Sequence, residues 1–280
     1  MVDLHTHSTF SDGTYTPEEL VCAAFERGLS AIALCDHNSV LGLPRFLNAA
    51  RERGVTSVPG VEFSVNYHSV ELHLLGLFIG SEHFEAITLM MDGWKKKKEE
   101  CNLLLGYKLA RNGVRVDIER MIDENPGVVL NRAHIGAELV RLGYVKSVSE
   151  AFDKWLSKKR GLYIEPERPE AFAMIEYVRS IGAVPVLAHP LLNLTPEELA
   201  VFLPKARECG LVGMETYYPL FSEAETALAC RLAEENGLLF SGGSDFHGDN
   251  KPDIELGVGR GSLCVEDRVY GALLAHFNRR

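Results

Sequence analysis

Two ligand-bearing triplets frame the chain, His5-Thr6-His7 near one end and Asp245-Phe246-His247 near the other. In extended backbone, residues i and i+2 point to the same side, so each triplet presents two metal-type ligands together. Imidazole and carboxylate in that pattern suit a divalent cation. Ten histidines in 280 residues is only mildly above ordinary usage, and a lone H-x-H is as readily a satisfied core pair. The neighbours of the first triplet add weight: Asp12-Gly13 follows it, Asp36-His37 and Glu62 close further apolar runs, and His73, His134 and His189 come later. Most of these polar groups end or interrupt hydrophobic segments, where an unpaired imidazole or carboxylate is costly to bury. Coordination to a cation offsets that cost.

The elements that must position these residues are legible as an alternation. Strand-like runs at Val2–His7, Ala31–His37, Ser57–Val65, Leu72–Ile79, Ala183–His189, Val212–Tyr217 and Leu238–Asp245 are separated by helical patterns, which predicts βα units around a largely parallel sheet or barrel. Thr16-Pro17-Glu18-Glu19 and Thr195-Pro196-Glu197-Glu198 each offer a Thr cap, a Pro at the first helical position and a Glu at the third. Those helices are expected to end on Gly28 and Gly210. From residue 84 to 161 the alternation gives way to helical periods at Glu85–Arg111, Val116–Asp123, Ala133–Leu142 and Val148–Lys158. The expected organisation is an α/β barrel domain of residues 1–83 and 162–280, carrying a helical insertion of residues 84–161.

Composition excludes several classes. At 46% hydrophobic the chain can bury a sizeable core, and no apolar run approaches the ~20 residues of a membrane span. The formal charge of −10 disfavours a long electrostatic track on nucleic acid, while leaving room for a small phosphorylated substrate held by cations. Lys95–Lys98 spreads around its helix and reads as a solvated surface. The scattered Cys22, Cys35, Cys101, Cys209, Cys230 and Cys264 contain no C-x-x-C pair and read as reduced core thiols. Met1–His5 leads directly into a strand without the features of a signal peptide, so a cytoplasmic protein is expected, with no obligate protein partner evident.

In α/β barrels the chemistry sits where strands end. His5 and His7, Asp36 and His37, Glu62, His189, and Asp245 with His247 come from five strand ends, which makes their convergence on one mouth far more specific than any single motif. At these residues the chain resembles the polymerase-and-histidinol-phosphatase, or PHP, family of phosphoesterases. The resemblance is carried by D-L-H-T-H-S-x-x-S-D-G at 3–13, C-D-H at 35–37, P-G-V-E-F-S at 59–64, A-H-P at 188–190 and G-S-D-F-H at 243–247. The N-R-A-H stretch at 131–134 is similar to the subgroup of 3′,5′-nucleoside bisphosphate phosphatases and RNA 5′-end exonucleases.

That resemblance implies a distorted seven-stranded (β/α)7 barrel with two or three divalent ions, manganese first, with iron, zinc or magnesium as alternatives. It assigns His5, His7, Glu62 and Asp245 to one ion and Asp12, His37 and His247 to a second. A third would take His73 and His134, with Glu62 bridging. Asp12 stands where several members have histidine, which moves that site toward oxygen ligation and favours manganese or magnesium over zinc. Closely spaced cations neutralise a phosphoester's oxygens, acidify a water and align its attack, so no serine or cysteine nucleophile is required. The expected catalytic residues are Asp245, His247 and His189, the last protonating the leaving oxygen or binding phosphate.

Asp36 either orients a ligand or caps a turn, and His68, His83 and His276 are assigned to the surface. Substrate contacts are expected from Arg132, Arg160, His189 and Ser64, although a helix-terminal arginine and an outward strand serine have ordinary surface readings too. The leading expectation is hydrolysis of a phosphomonoester on a small nucleotide, a 3′,5′-bisphosphonucleotide first. The alternatives are stepwise 5′-3′ removal of nucleotides from short RNA, a histidinol-phosphatase-like activity, and a non-catalytic metal-binding module.

Overall fold

The computed structural model describes residues 1–124, 130–164 and 166–279. Seven strands form one sheet in chain order: β1 Val2–Asp3, β2 Ala31–Leu34, β3 Ser57–Tyr67, β4 Val70–Leu77, β5 Val184–Leu187, β6 Gly213–Tyr217 and β7 Leu239–Gly242. The helices among the described residues are α1 Pro17–Glu26, α2 Leu43–Arg53, α3 Phe84–Arg111, α4 Ile118–Glu124 and α5 Arg132–Arg141. They continue with α6 Val148–Ala151, α7 Ala171–Ser180, α8 Pro196–Cys209, α9 Glu223–Glu235 and α10 Asp267–Phe277. No helix among the described residues is long and apolar enough to cross a membrane.

The chain divides into two compact units, residues 1–88 with 169–280, and residues 89–168, with the first division falling within α3. In the first unit, β1–β2, β2–β3, β5–β6 and β6–β7 pair parallel. Strand β4 runs against both neighbours. It is reached through a hairpin whose central residues, His68 and Ser69, both take positive φ, the condition for a turn whose twist matches the strands. The sheet is largely parallel, as the alternation leads one to expect, and contains one reversed strand.

The sheet nearly closes on itself. Beyond the ends of β1 and β7 the two chain segments run side by side, with Leu4 N–H donating to Gly242 O at 3.2 Å, Asp245 N–H to His5 O at 2.8 Å and His7 N–H to Phe246 O at 2.9 Å. Alternate residues, including Val2 and Leu4, Ala31 and Ala33, Leu75 and Leu77, and Val184 and Val186, build one apolar cluster that Val269 and Leu273 of α10 join. Each fully buried Val or Leu among them contributes about 1.5–3 kcal/mol. The cluster makes a rigid floor for whatever the strand ends carry.

Both expected capping boxes form: Thr16 with Glu19, and Thr195 with Glu198, and α8 ends on Gly210 in the left-handed region. The second unit has its own core around Leu105, Leu109, Ile135 and Leu139. The single helix expected over Val148–Lys158 is broken there. Four α-helical residues are followed by a π-turn at Phe152–Leu156 and a 3-10 turn at Lys158–Arg160, the wider turn accommodating a residue that the α repeat cannot. The expectation of core thiols fails at Cys264, which is exposed, whereas Cys35 and Cys209 are buried.

Candidate metal centre

Ligands gather where regular pairing stops. The expected strands overran the observed ones by several residues at this end, because β1, β2, β5 and β7 leave the ladder just before His5, Asp36, His189 and Asp245. Isolated bridges, Thr6 with Phe246 and His37 with Glu62, keep the departing segments in register. Asp245 and His189 both adopt left-handed backbone, with φ of 54° and 28°, a conformation non-glycine residues take only when surroundings enforce it. Reversed β4 brings its early residue His73 beside Ser64 of β3, so its first half lies at the end where the parallel strands finish.

Glu62 is the hub. Its Oε1 lies 2.8 Å from His73 Nδ1 and 3.0 Å from His189 Nε2. Its Oε2 lies 3.2 Å from both His5 Nε2 and His7 Nε2, and 3.0 Å from His37 Nδ1. One fully buried carboxylate thus faces five imidazoles. Around it three groups place their ligand atoms within 4.8 Å of one another: His5, His7 and Asp245; His7, Asp12, His37 and His247; and His37, Glu62 and His73. His7 joins the Asp12 group and His37 joins the His73 group, two sharings the sequence did not indicate.

Cations fit this donor set. Glu62 Oε2 and His37 Nδ1 lie 3.0 Å apart but are not aligned for a hydrogen bond, and neither buried atom makes one to any other described residue, a costly state for polar atoms. His5 Nε2 and His7 Nε2 face each other at 3.1 Å, where two lone pairs repel unless a proton or a cation intervenes. Burial pushes the His7 imidazole down, but Asp245 and Glu62 overcome it and raise it to about 9. Against the same desolvation, Glu62 and Glu71 lift His73 to about 10, and Glu215, Glu62 and Asp245 hold His5 well above its ordinary range. Burial favours the neutral acids of Glu62 and Asp245, yet the surrounding histidines keep both carboxyls far below theirs. His37 goes the other way, because desolvation outweighs Glu62. A site that pulls protons this strongly onto nitrogen pulls divalent cations for the same reason.

A surrounding layer fixes the ligands. Buried Glu215 of β6 sets Oε1 3.0 Å from His5 Nδ1, and its Oε2 accepts the His189 backbone N–H at 2.7 Å. Buried Asp3 accepts from Ser244 N–H at 2.8 Å and Gly257 N–H at 2.7 Å, stitching the β1 and β7 segments together. Asp36 accepts Ser8 N–H, Ser8 Oγ–H and Ser11 Oγ–H, each at 2.7 Å, so it binds the loop that follows His7. Glu215, Asp3, Tyr218 and Lys251 were not singled out from the sequence. Glu215 carried a usable signal, a carboxylate inside the apolar run Val212–Tyr217, which is what made Glu62 conspicuous.

The remaining expected residues stand as follows. Ser64 N–H and Oγ are engaged by Asn38, at 2.9 and 3.1 Å. His134 lies in the second unit, where its Nδ1 accepts the Asn131 N–H and completes the cap of α5. Arg132 packs its guanidinium over Tyr163 at 4.3 Å and Phe152 at 5.4 Å, and Arg160 donates to Asp153 O at 2.8 Å. His68 is exposed as expected, while His83 and His276 are half-buried.

The model of the PHP domain matches residues 3–168, more than half of the chain. The chain belongs to the PHP domain family. A 5′-3′ exoribonuclease of Haemophilus influenzae is 31% identical over 246 residues, covering 88% of this chain and 89% of that protein. A phosphoribosyl 1,2-cyclic phosphate 1,2-diphosphodiesterase of Eggerthella lenta is 30% identical, with 88% and 94% covered. A 3′,5′-nucleoside bisphosphate phosphatase of Chromobacterium violaceum is 28% identical, with 91% and 90% covered. Among solved structures, an amidohydrolase from Chromobacterium violaceum with bound sulfate superposes with a TM-score of 0.79 at 26% identity, covering 98% of this chain and 96% of that one. With this family and these relatives, the PHP chain is a metal-dependent phosphoesterase.

Proposed function

We propose that this PHP phosphoesterase removes a phosphate monoester from a small nucleotide, with a 3′,5′-bisphosphonucleotide such as 3′-phosphoadenosine 5′-phosphate as the leading substrate. The observation that carries the reading is Glu62 facing five imidazoles at the centre of three adjoining ligand groups. The bisphosphate phosphatase relative, covered over 90% of its length, supports the choice of substrate.

In this reading His5, His7, Glu62 and Asp245 hold one ion, Asp12, His37 and His247 a second, and His73 with Glu62 a third, His134 being the remaining proposed ligand. Two or three ions bind, manganese first. When bound, they neutralise phosphate oxygens and supply an acidified water. His189, held at Glu62 Oε1 by its Nε2, binds the phosphate or gives a proton to the leaving oxygen. Arg132 and Arg160 offer planar forks for the second phosphate, and Ser64 a hydroxyl. In this reading the protein acts in the cytoplasm.

A second reading, stepwise 5′-3′ hydrolysis of short RNA, is favoured by the exoribonuclease relative. It uses the same centre on a diester. Purified protein loaded with manganese separates the two: phosphate release from the bisphosphate supports the first, and a ladder of mononucleotides from 5′-phosphorylated RNA the second. Elemental analysis finding less than one divalent ion per chain would sink both. Loss of turnover in Asp245→Asn and His7→Ala, with an unchanged circular dichroism spectrum, is expected.

A further inference from the structure

The two oxygens of Asp245 live in different worlds. Oδ1 faces the histidines, 3.2 Å from His7 Nε2, 3.4 Å from His247 Nδ1 and 3.7 Å from His5 Nε2. Oδ2 faces away from them and accepts two hydrogen bonds, from Tyr218 Oη at 2.7 Å and from Lys251 Nζ at 2.7 Å. A carboxylate oxygen has two lone-pair sites, so these donors occupy what Oδ2 has to offer.

We propose that Tyr218 and Lys251 are positioning residues that clamp Oδ2 of Asp245, so that this ligand meets its cation through Oδ1 alone. The inference rests on the reading of Asp245 as a metal ligand. The clamp answers a local difficulty: Asp245 sits in left-handed backbone with φ of 54°, where nothing in its own main chain dictates the rotation of the carboxylate. The two donors come from different places. Tyr218 lies just past β6, is 6% exposed, and is wedged by its ring against His189 and Phe221, at centroid distances of 5.3 and 5.2 Å. Lys251 closes the 3-10 turn that follows His247, its N–H bonded to Gly248 O.

One donor is therefore rigid and neutral, while the other is a charged end on a flexible stem. Together they fix the plane of the carboxylate and compensate its outer oxygen. Without them Oδ2 is free to turn inward, and the group can chelate one ion with both oxygens or drop the contact.

The test is direct metal binding by calorimetry on the full chain, with manganese as the probe, for wild type, Tyr218→Phe, Lys251→Met and Lys251→Arg. Tyr218→Phe and Lys251→Met should each weaken the tightest manganese site roughly tenfold, the scale on which outer hydrogen bonds act on metal ligands. Lys251→Arg, which restores a cationic donor, should recover most of that loss. In cobalt-loaded protein the visible ligand-field bands of the two weakened variants should change in intensity, falling where Asp245 chelates through both oxygens and rising where it drops the contact, whereas Lys251→Arg keeps the wild-type spectrum. Thermal melts of the chelated proteins control for stability. Wild-type protein that binds manganese while both weakened variants bind it within twofold of wild type would overturn the clamp and leave the metal centre standing. Wild-type protein that binds no manganese would overturn the metal centre and the clamp together.

Discussion

Glu215 joins His5 to His189: one of its oxygens lies 3.0 Å from the His5 ring at Nδ1, and the other accepts the backbone N–H of His189 at 2.7 Å. For His5 to offer Nε2 to a cation, Nδ1 must carry the proton and donate it, so both contacts require an acceptor on Glu215. A carboxylate provides two and an amide provides one. Glu215→Gln should therefore break one of the two contacts whichever way the amide turns, at a cost of about 1–3 kcal/mol. The expected result is a manganese affinity lowered 10- to 100-fold with the fold retained, read by calorimetry. Unchanged affinity would show that His5 does not depend on Glu215 for its orientation.

In the proposed centre protons and cations compete for the same nitrogens. His7 and His73 are raised to about 9 and about 10, above the unfolded value of about 6.5, so in chelated protein the stability they contribute is fully present below about pH 6.5. It is lost as the pH rises through those folded values. Chelated protein should accordingly melt at progressively lower temperature between pH 7 and 10, while manganese-loaded protein should not. The apparent affinity for manganese should climb over the same range, and binding should release protons, measurable by calorimetry in buffers of different ionisation enthalpy. A pH-independent affinity without proton release would refute the competition.

The sequence made the ligand types readable because a charged or imidazole side chain at the end of an apolar run has few inexpensive fates. His5, His7, Asp12, His37, Glu62, His73, Asp245 and His247 all reach the three ligand groups. The partition among groups was harder to read: which nitrogen of His7 or His37 faces which neighbour depends on backbone that leaves the ladder, and no periodicity describes that. Reversal of β4 was hidden likewise, since its two-residue turn, His68-Ser69, lacks the glycine or asparagine that usually marks such a hairpin. Asp3 was legible as part of a motif and not as a fastener, because its partners, Ser244 and Gly257, are more than 240 residues away along the chain.

In the proposed centre Asp12 is the oxygen donor of the second group. It is the group's only carboxylate, with Oδ1 3.1 Å from His247 Nε2 and Oδ2 3.8 Å from His37 Nε2, and its side chain is 56% exposed. Replacing this oxygen donor by nitrogen should move the preference from manganese toward zinc. In Asp12→His, competition dialysis against equal manganese and zinc should leave more zinc on the protein than in wild type. Exposure makes the exchange tolerable for folding, so a melting temperature within a few degrees of wild type is expected. An unaltered zinc-to-manganese ratio would remove Asp12 from the ligands.

The centre depends on a close approach of backbone at the seam between β1 and β7. A Cβ on Gly243 would lie 2.4 Å from the His5 backbone nitrogen and 2.8 Å from Asp3 Oδ1, and neither can move without parting the segments that carry His5, His7, Asp245 and His247. Gly243→Ala should cost about 1–3 kcal/mol, the range of overpacked sites. It should also weaken metal binding, since the two ligand-bearing segments can no longer hold their register. Gly271→Ala is the matched control: it lies inside α10 with open space at its Cβ, where alanine is favoured over glycine by about 1 kcal/mol. Denaturant unfolding of both variants, with and without manganese, gives the comparison. If Gly243→Ala unfolds at the wild-type midpoint and binds manganese normally, the seam is not what holds the two ends of the chain in one metal centre.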